Sequence, residues 1–419
     1  MPHFPRMCLR WLRPLLLTLL LGTPVRAADP VVILISIDGM RWDYLDRYSP
    51  PHLVQLAREG TRLSQLIPTF PTKTYPNHYT LVTGLRVERH GIVGNEMFDP
   101  EMGRFFRLPD RAAVTDPRWW GGEPIWITAM KQGRSTASMF WPGSDVKIHG
   151  QQPTYWYHYD HDKPHAERVN QVLAWLDLPE AERPALITTY FAAVDDAGHN
   201  FGPLAEETRL ALLDVDRSIG DLLAGLRARH LQDRVTLLIV SDHGMAEISE
   251  NRIVYLDDAL PRELLRYDLL GPIAGLRPPA DRMEETLSRL RALRHVRVFH
   301  KSNLPPSLGY TQHVRIPDVL VIADDGWEVW TRAAAAKREW ASARGNHGFD
   351  SAYGSMGATF IAYGARIPHG KTLGAVENIH VYNLMCALLG ITPAPNDGDD
   401  RLVRALLSPT EADDPTPSR

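Results

Sequence analysis

The fold class follows from Val31-Val32-Ile33-Leu34-Ile35-Ser36-Ile37, which is followed at once by Asp38-Gly39. An apolar run without alternating polar residues is typical of a strand buried on both faces, as in a parallel sheet covered by helices. Asp38 would then stand at the carboxyl end of a central strand, where open α/β sheets bind their ligands. A turn or helix cap is the other explanation for this aspartate.

Further apolar runs alternate with helical patterns along the chain. The runs cover 185–194, 235–240, 318–322 and 359–363. The helical patterns cover 51–59, 165–176, 205–229, 281–293 and 378–390. This alternation predicts an α/β fold with a mostly parallel central sheet and helices on both faces.

A segment rich in hydroxyls and prolines lies between a predicted strand and a predicted helix. It reads Pro68-Thr69-Phe70-Pro71-Thr72-Lys73-Thr74-Tyr75-Pro76-Asn77-His78-Tyr79, and the helix is predicted over 77–84. The prolines keep the approach extended. Thr74 would therefore lie near a helix N-terminus, which favours anions. Its hydroxyl could attack phosphorus if a metal lowered its pKa, although Thr69 and Thr72 are nearby alternatives.

Acids and histidines follow several of these runs or lie in a later loop. They occur in Asp195-Asp196-Ala197-Gly198-His199, in Ser241-Asp242-His243-Gly244-Met245 and in Gly345-Asn346-His347-Gly348. Aspartate and neutral imidazole together suit zinc and related divalent ions. Any single Asp–His pair is more often structural, but their coincidence at strand ends predicts a metal site. With Asp38, the residues suffice for two metals with three protein ligands each.

The composition favours a large enzyme without a polyanionic partner. The chain has 419 residues, of which 44% are hydrophobic and 23% are charged, and its net charge is −4. No binding of a nucleic-acid polymer is expected from this charge.

The first 28 residues have the pattern of a secretory signal peptide. Arginines precede the apolar run 15–21, and the small residues Ala27 and Ala28 follow it, which predicts cleavage near them. The run is too short for a bilayer span, so no stable membrane anchor is expected. We therefore expect an exported bacterial protein, periplasmic or secreted, with a single domain over 29–405. The proline-containing, acidic tail 406–419 is predicted to be disordered.

Taken together, the motifs resemble those of the nucleotide pyrophosphatase/phosphodiesterase family of the alkaline phosphatase superfamily. They span about 30 to 390 and comprise Ile37-Asp38-Gly39, Pro71 to Tyr79, Thr83-Gly84-Leu85, His90-Gly91-Ile92, Gly94 to Pro100, Gly122 to Trp126, Trp141 to Asp145, Asp195 to His199, Ser241 to Met245, and Asn346-His347-Gly348. The resemblance implies an alkaline-phosphatase-like α/β core with a small α/β insertion at about 250–345.

The resemblance also implies two Zn²⁺ ions and a covalent nucleotidyl intermediate on Thr74. The implied ligands of one zinc are Asp38, Asp242, His243 and the Thr74 oxygen. Those of the second are Asp195, His199 and His347. The family spacing between acid and histidine favours Asp195 over Asp196.

Further roles are implied for the substrate-binding residues. Asn95 resembles the donor to a non-bridging phosphate oxygen, which is an oxyanion-type role. Tyr75 and Tyr190 resemble the aromatic residues that stack on a nucleobase, and stacking tolerates any base. The implied substrate is a nucleotide or another small phosphodiester, and the implied product is a nucleoside 5′-monophosphate.

Three alternatives stay open at this point. Relatives on the same scaffold cleave lysophospholipid or choline phosphodiesters, and others prefer phosphate monoesters. A metal-dependent binding protein without catalysis is the alternative from a different class, and it would need neither Thr74 nor Asn95. The oligomeric state is not indicated.

Overall fold

The computed structural model describes Met1, residues 30–338 and residues 343–407. The predicted signal peptide, apart from Met1, lies outside the described residues. The predicted tail also lies outside them except for residues 406 and 407, which end the last helix, Arg401–Leu407.

The described strands, in chain order, are β1 (Val31–Ile37), β2 (Thr61–Leu63), β3 (Leu66–Ile67), β4 (Glu96–Asp99), β5 (Arg104–Arg107), β6 (Thr136–Met139), β7 (Tyr155–Trp156), β8 (Leu186–Phe191), β9 (Val235–Val240), β10 (Ala246–Glu247), β11 (Ile253–Tyr255), β12 (Tyr267–Leu269), β13 (Ile273–Leu276), β14 (Val296–His300), β15 (Val319–Ala323), β16 (Glu328–Trp330), β17 (Gly345–Asn346), β18 (Phe360–Tyr363), β19 (Lys371–Leu373) and β20 (Val376–Glu377).

The described α-helices are α1 (Tyr44–Tyr48), α2 (Pro51–Glu59), α3 (Thr74–Thr83), α4 (Val87–His90), α5 (Arg111–Val114), α6 (Ile125–Lys131), α7 (His165–Leu176), α8 (Ala193–Phe201), α9 (Glu206–Ala228), α10 (Met283–Leu290), α11 (Arg332–Ala335), α12 (Val381–Leu389) and α13 (Arg401–Leu407). Short 3-10 helices lie at Pro117–Trp119, Leu256–Asp258, Arg262–Leu264, Ala280–Arg282, Lys301–Asn303, Pro306–Leu308, Gly354–Met356 and Asn378–His380.

The central sheet has eight strands in the order β19-β2-β18-β9-β1-β8-β6-β7. Strand β1 lies between β8 and β9 and is parallel to both. The predicted mostly parallel sheet is therefore confirmed. The run 359–363 forms β18, which is antiparallel to its neighbours β9 and β2.

Helices cover both faces of this sheet, as predicted. Val32 and Leu34 of β1 join one core cluster, which also contains residues of α3, α6 and α12. The alternate residues Ile33, Ile35 and Ile37 join a second cluster with α2, α7 and α9. Because side chains alternate across a strand, a strand covered on both sides is apolar throughout.

The run 318–322 does not join the central sheet. It forms β15, which lies in a separate antiparallel sheet of order β12-β13-β15-β14. This sheet packs with α10 in a third core cluster. An apolar run does not specify which sheet buries it, and this one belongs to the inserted region.

Helix α3 begins at Thr74, three residues before the predicted start. Lys73 is extended, with φ −115° and ψ 154°, and Pro76 lies in the first turn. Proline is tolerated there because the first-turn N–H groups have no partner within the helix. Thr74 is thus the first residue of the helix.

Candidate metal centre

The three predicted aspartates meet beyond the carboxyl end of the central sheet. Because β1 lies between β8 and β9, the segments that follow these strands converge on Asp38. The Gly39 N–H donates to Asp242 Oδ1 at 3.2 Å. Gly39 has φ +68°, and a Cβ there would lie 3.0 Å from the Asp195 Cα. This approach therefore requires glycine.

One group of ligand-type side chains surrounds His243. Its Nε2 lies 2.9 Å from Asp242 Oδ2 and 3.5 Å from Asp38 Oδ1. Thr74 Oγ1 lies 3.3 Å from the same nitrogen. The structure thus places the hydroxyl at the helix N-terminus directly beside the buried acids.

A second group adjoins the first through Asp195. Asp195 and His199 lie one turn apart on α8, with 3.4 Å between Asp195 Oδ2 and His199 Nε2. His347 Nε2 lies 3.8 Å from Asp195 Oδ1. The rings of His347 and His243 stack with their centroids 3.5 Å apart. All seven predicted metal-site residues therefore come together in one place.

The three predicted histidine ligands share one orientation. Each has its Nδ1 on a backbone carbonyl: His199 on Gly345, His243 on Gly244 and His347 on Thr72, at 2.9, 2.8 and 2.8 Å. Because a carbonyl only accepts, Nδ1 carries the proton and the Nε2 lone pair is left to bind a cation. A hydrogen bond from Nδ1 to a carbonyl orients the ring so that Nε2 can bind a metal.

The acidic residues lack the partners that burial normally demands. Asp38 Oδ1, Asp195 Oδ1 and Asp242 Oδ2 are buried without a hydrogen-bond partner within the described chain. Burial, and then repulsion by Asp242 and Asp195, raises the pKa of Asp38 well above its usual range. Burial and nearby His243 lower the pKa of His347 well below its usual range, so its imidazole is neutral. A divalent cation would satisfy all of these groups.

Groups of side chains able to hold a cation overlap here. Asp195 with His199 and His347 is one, and Asp38 with Asp195 and His243 is another. A third adds His78, which the sequence did not single out, to Asp38 and Asp242. However, His78 Nε2 faces Ser36 Oγ at 2.7 Å and its Nδ1 faces the Thr74 carbonyl at 2.8 Å. Both ring nitrogens are thus engaged, which favours a supporting role for His78.

Asn95 lies beside the hydroxyl and has a fixed orientation. Its Oδ1 accepts the backbone N–H of Tyr75 at 2.9 Å. The amide Nδ2 is therefore the group that Asn95 offers to a ligand.

A cavity of about 380 Å³ opens in front of the metal centre. It is lined by Asp38, Thr74, Tyr75, Asn95, Leu108, Arg111, Phe140, Trp141, Pro142, Gly143, Ser144, Asp145, Tyr157, Tyr159, Tyr190, Asp195, His199 and His347. Of the predicted site residues, Asp242 and His243 are outside this lining and fully buried.

Tyr190, which is predicted to stack on a base, also lines the cavity. Only 9% of it is exposed, and its hydroxyl donates to Asp38 Oδ2 at 2.6 Å. Tyr157 and Tyr159, by contrast, line the cavity with 44% and 43% of their surface exposed. Neither tyrosine was predicted from the sequence, although the dense aromatic residues of 155–159 were a visible signal.

Comparison with known proteins now bears on this site. Residues 32–350 match the family described as type I phosphodiesterase / nucleotide pyrophosphatase. This chain belongs to that family.

Several relatives in the type I phosphodiesterase family are similar over most of this chain. Ectonucleotide pyrophosphatase/phosphodiesterase family member 3 of Rattus norvegicus is 38% identical over 391 residues, which are 90% of this chain and 44% of the relative. The venom phosphodiesterase of Macrovipera lebetinus is 38% identical over 389 residues, or 90% and 45% of the two chains. The chain thus spans less than half the length of these relatives.

Solved structures in the family are also similar. Murine ectonucleotide pyrophosphatase / phosphodiesterase 5 superposes with a TM-score of 0.85 and 34% identity, covering 91% of this chain and 100% of that chain. That structure is an inactive variant, with threonine replaced by alanine, in complex with AMP. The alkaline-phosphatase-like fold expected from the sequence is confirmed.

Within residues 30–338 and 343–407, none of the helices combines the length and the apolar character needed to span a bilayer.

Proposed function

We propose that this phosphodiesterase-family chain hydrolyses phosphodiester and pyrophosphate bonds of nucleotides, with two Zn²⁺ bound and Thr74 as the nucleophile. The observation that carries the proposal is the position of Thr74. Its Oγ1 lies 3.3 Å from His243 Nε2, at the start of α3 and on the wall of the cavity. A hydroxyl there faces the place where a phosphate would be bound.

The proposed ligands fall into the two sets that the family resemblance implies. Asp38, Asp242 and His243, with the Thr74 oxygen, would hold one ion. Asp195, His199 and His347 would hold the other. Zinc bound there would lower the pKa of a hydroxyl and of a water molecule and would offset phosphate charge.

The chemistry on this chain's own atoms has two steps. Thr74 Oγ1 loses its proton to solvent and attacks phosphorus, so that an Oγ1–P bond forms and the bond to the leaving oxygen breaks. A nucleoside triphosphate thereby releases pyrophosphate. Water then attacks phosphorus, the Oγ1–P bond breaks, and Thr74 recovers a proton as the nucleoside 5′-monophosphate leaves.

Two further groups would hold the substrate. The Asn95 amide, fixed by its bond to the Tyr75 N–H, would donate to a non-bridging phosphate oxygen. Tyr75 and Tyr159 would stack on the base, because both line the cavity and Tyr159 is more exposed there than Tyr190, the partner that the family resemblance implies. The AMP complex of the murine relative is consistent with a nucleotide here.

Export from the cell is part of the proposal. It rests on the signal-like residues 1–28 and on relatives whose names describe ecto- and venom enzymes. Periplasmic location and cleavage near Ala27 or Ala28 would be tested by N-terminal sequencing of the protein recovered outside the cytoplasm.

A three-ester assay tests the activity. The metal-loaded protein is given p-nitrophenyl thymidine 5′-monophosphate, p-nitrophenyl phosphate and p-nitrophenyl phosphorylcholine, each with and without chelator. We expect the highest kcat/KM for the nucleotide ester and loss of activity with chelator. A higher kcat/KM for the choline ester would mean that the pocket binds lipid esters and not nucleotides. A higher kcat/KM for the monoester would mean that the chain is a phosphatase and not a diesterase.

A further inference from the structure

A buried arginine lies behind the aromatic side of the cavity. Arg168, on α7, is only 2% exposed, and no carboxylate lies within ion-pair distance of it among the described residues. A guanidinium cannot lose its charge, so burial without an acid must be balanced by other oxygen atoms. An arginine kept under these conditions calls for a specific explanation.

The oxygen atoms are backbone carbonyls from two different parts of the cavity. Arg168 donates to the carbonyls of Lys163, His161 and Asp160 at 2.9, 2.9 and 3.3 Å. It also donates to the carbonyl of Tyr190 on β8 at 2.8 Å. One side chain therefore joins the irregular segment 157–163, which we call the aromatic segment, to the central sheet.

Packing completes this connection. The Arg168 guanidinium lies over the ring of Phe140, with 5.1 Å between its Cζ and the centroid. Tyr159 meets the same Phe140 ring edge-on at 5.3 Å and the Tyr190 ring at 5.9 Å. Tyr159 thus rests on two rings whose surroundings Arg168 fixes.

The other ties of the aromatic segment run through side chains at the surface. The Tyr157 hydroxyl donates to Gln171 Oε1 at 3.0 Å, His158 Nδ1 lies 3.4 Å from Asp145 Oδ2, and Lys163 Nζ donates to Glu167 Oε2 at 2.9 Å. His161 Nε2 lies 3.5 Å from Asp196 Oδ2, but the two side chains are 56% and 47% exposed. Exposed pairs contribute little to the ordering of a loop. The forked guanidinium, with several bonds in a buried place, is the stronger constraint.

We propose that Arg168 is a positioning residue that holds the aromatic segment, and with it Tyr159, at the distance from β8 that a base requires. The proposal rests on the proposed function, because it assumes that Tyr159 contacts the base. Arg168 itself touches neither the substrate nor the reacting atoms.

The test compares a base-bearing with a base-free diester. Steady-state kinetics of Arg168→Lys are measured on p-nitrophenyl thymidine 5′-monophosphate and on methyl p-nitrophenyl phosphate, with zinc content as a check. Lysine keeps the charge but lacks the fork that reaches both segments. We expect KM for the nucleotide ester to rise roughly 10-fold, in the range of losing one stacked ring. The kcat of both esters and the KM of the base-free ester should change less than about twofold.

Two comparisons separate positioning from general structure. Arg183→Lys is the control. Arg183 is a partly buried arginine that lies away from the cavity and donates to the Leu178 carbonyl at 3.1 Å. This change should alter the kinetics of neither ester. In a Tyr159→Ala background, Arg168→Lys should cause no further rise in KM. Equal losses on both esters, or additive losses in the double variant, would overturn the proposal.

Two further measurements apply if Arg168→Lys does not fold or if the native enzyme lacks the expected preference for a base. If Arg168→Lys does not fold, Arg168→Gln is the second variant, and failure of both to fold would mean a structural role only. If the native enzyme shows no preference for the base-bearing ester, the proposed base site is wrong. Amide hydrogen exchange over 157–163 then tests whether Arg168 holds the aromatic segment in place. Faster exchange in Arg168→Lys than in Arg183→Lys supports it, and equal exchange overturns it.

Discussion

The Tyr190 hydroxyl donates a 2.6 Å hydrogen bond to Asp38 Oδ2, while Oδ1 of the same carboxylate is buried without a partner. One oxygen of Asp38 is thus held by the wall of the cavity and the other faces His243 at 3.5 Å. Hydrogen bonds of this kind orient a ligating carboxylate. Tyr190 is therefore placed to orient Asp38, a proposed metal ligand.

Replacing Tyr190 by phenylalanine should weaken zinc binding and leave base preference unchanged. Loss of an outer hydrogen bond to a ligand costs about 10-fold in metal affinity. The affinity is measured by competition with a chelator of known strength. Tyr48→Phe, which removes a hydroxyl bonded to the Pro203 carbonyl at 3.1 Å, is the control and should bind zinc normally. Unchanged zinc affinity in Tyr190→Phe would contradict this role of the hydroxyl.

Thr74→Ala should lower turnover of the nucleotide ester by roughly 10³-fold or more, because the proposed nucleophile is removed and only direct attack by water remains. Zinc should stay bound, since the aspartate and histidine ligands are untouched. Zinc content and single-turnover kinetics are measured on the same samples. Thr83→Ala, at the far end of α3, is the control and should keep activity. Near-normal turnover by Thr74→Ala would make the nucleophile assignment wrong.

Asn95→Asp should lower kcat by about 10²- to 10³-fold, the usual cost of losing an oxyanion donor. The change is nearly isosteric, and the new carboxylate can still accept the Tyr75 N–H, so the local backbone should hold. It replaces the amide donor by an acceptor that repels phosphate. A crystal structure and the kcat of Asn95→Asp are compared with those of Asn95→Ala. A kcat within threefold of the native value would remove Asn95 from the proposed chemistry.

Acid should destabilise the fold through His90, which is fully buried. Burial, with nearby His313 and Arg315, lowers the pKa of His90 to about 3. Its Nδ1 accepts the Ile92 N–H at 3.2 Å, so a second ring proton has no place to go. Because this pKa lies below the ordinary 6.5, the unfolded chain takes up the proton first. The stabilisation is complete above pH 6.5 and declines as the pH falls toward 3.

Urea unfolding of the metal-free protein at pH 7 and pH 5 measures this loss. His90 should account for about 2 kcal/mol of the difference in the free energy of unfolding. His90→Asn should reduce the difference by that amount, whereas His369→Asn, at an exposed site, should leave it as in the native chain. An equal pH dependence in all three proteins would contradict the role of His90.

The sequence predicted the central part of the fold well, for a physical reason. A strand such as β1, covered on both faces, must be apolar throughout, and α7 was predicted with its observed bounds, His165–Leu176. Strand direction and sheet membership could not be predicted, because β18 and β15 are as apolar as the parallel strands of the central sheet. Their pairing depends on chain connections that no local pattern records.

The candidate site was likewise predicted only in part. The ligand-type residues could be found because each stands next to a recognisable element, and the structure brings Asp38, Asp195 and Asp242 together. The substrate side could not be found with the same accuracy. Tyr190 and Tyr159 both line the cavity, and only the packed structure shows which hydroxyl reaches Asp38 and which ring is the more exposed.

The two proposed ligand sets draw on distant parts of the chain. The proposed ions would link segments following β1, β8, β9 and β17, which lie far apart along the chain. Cys386, the only cysteine outside the predicted signal peptide, is buried and free, so the chain beyond that peptide has no internal disulfide. The bound cations would therefore hold these segments together in place of disulfides. Resistance to heat and proteolysis would then depend on the zinc concentration around the protein. Zinc depletion would inactivate the enzyme and also make it easier to degrade.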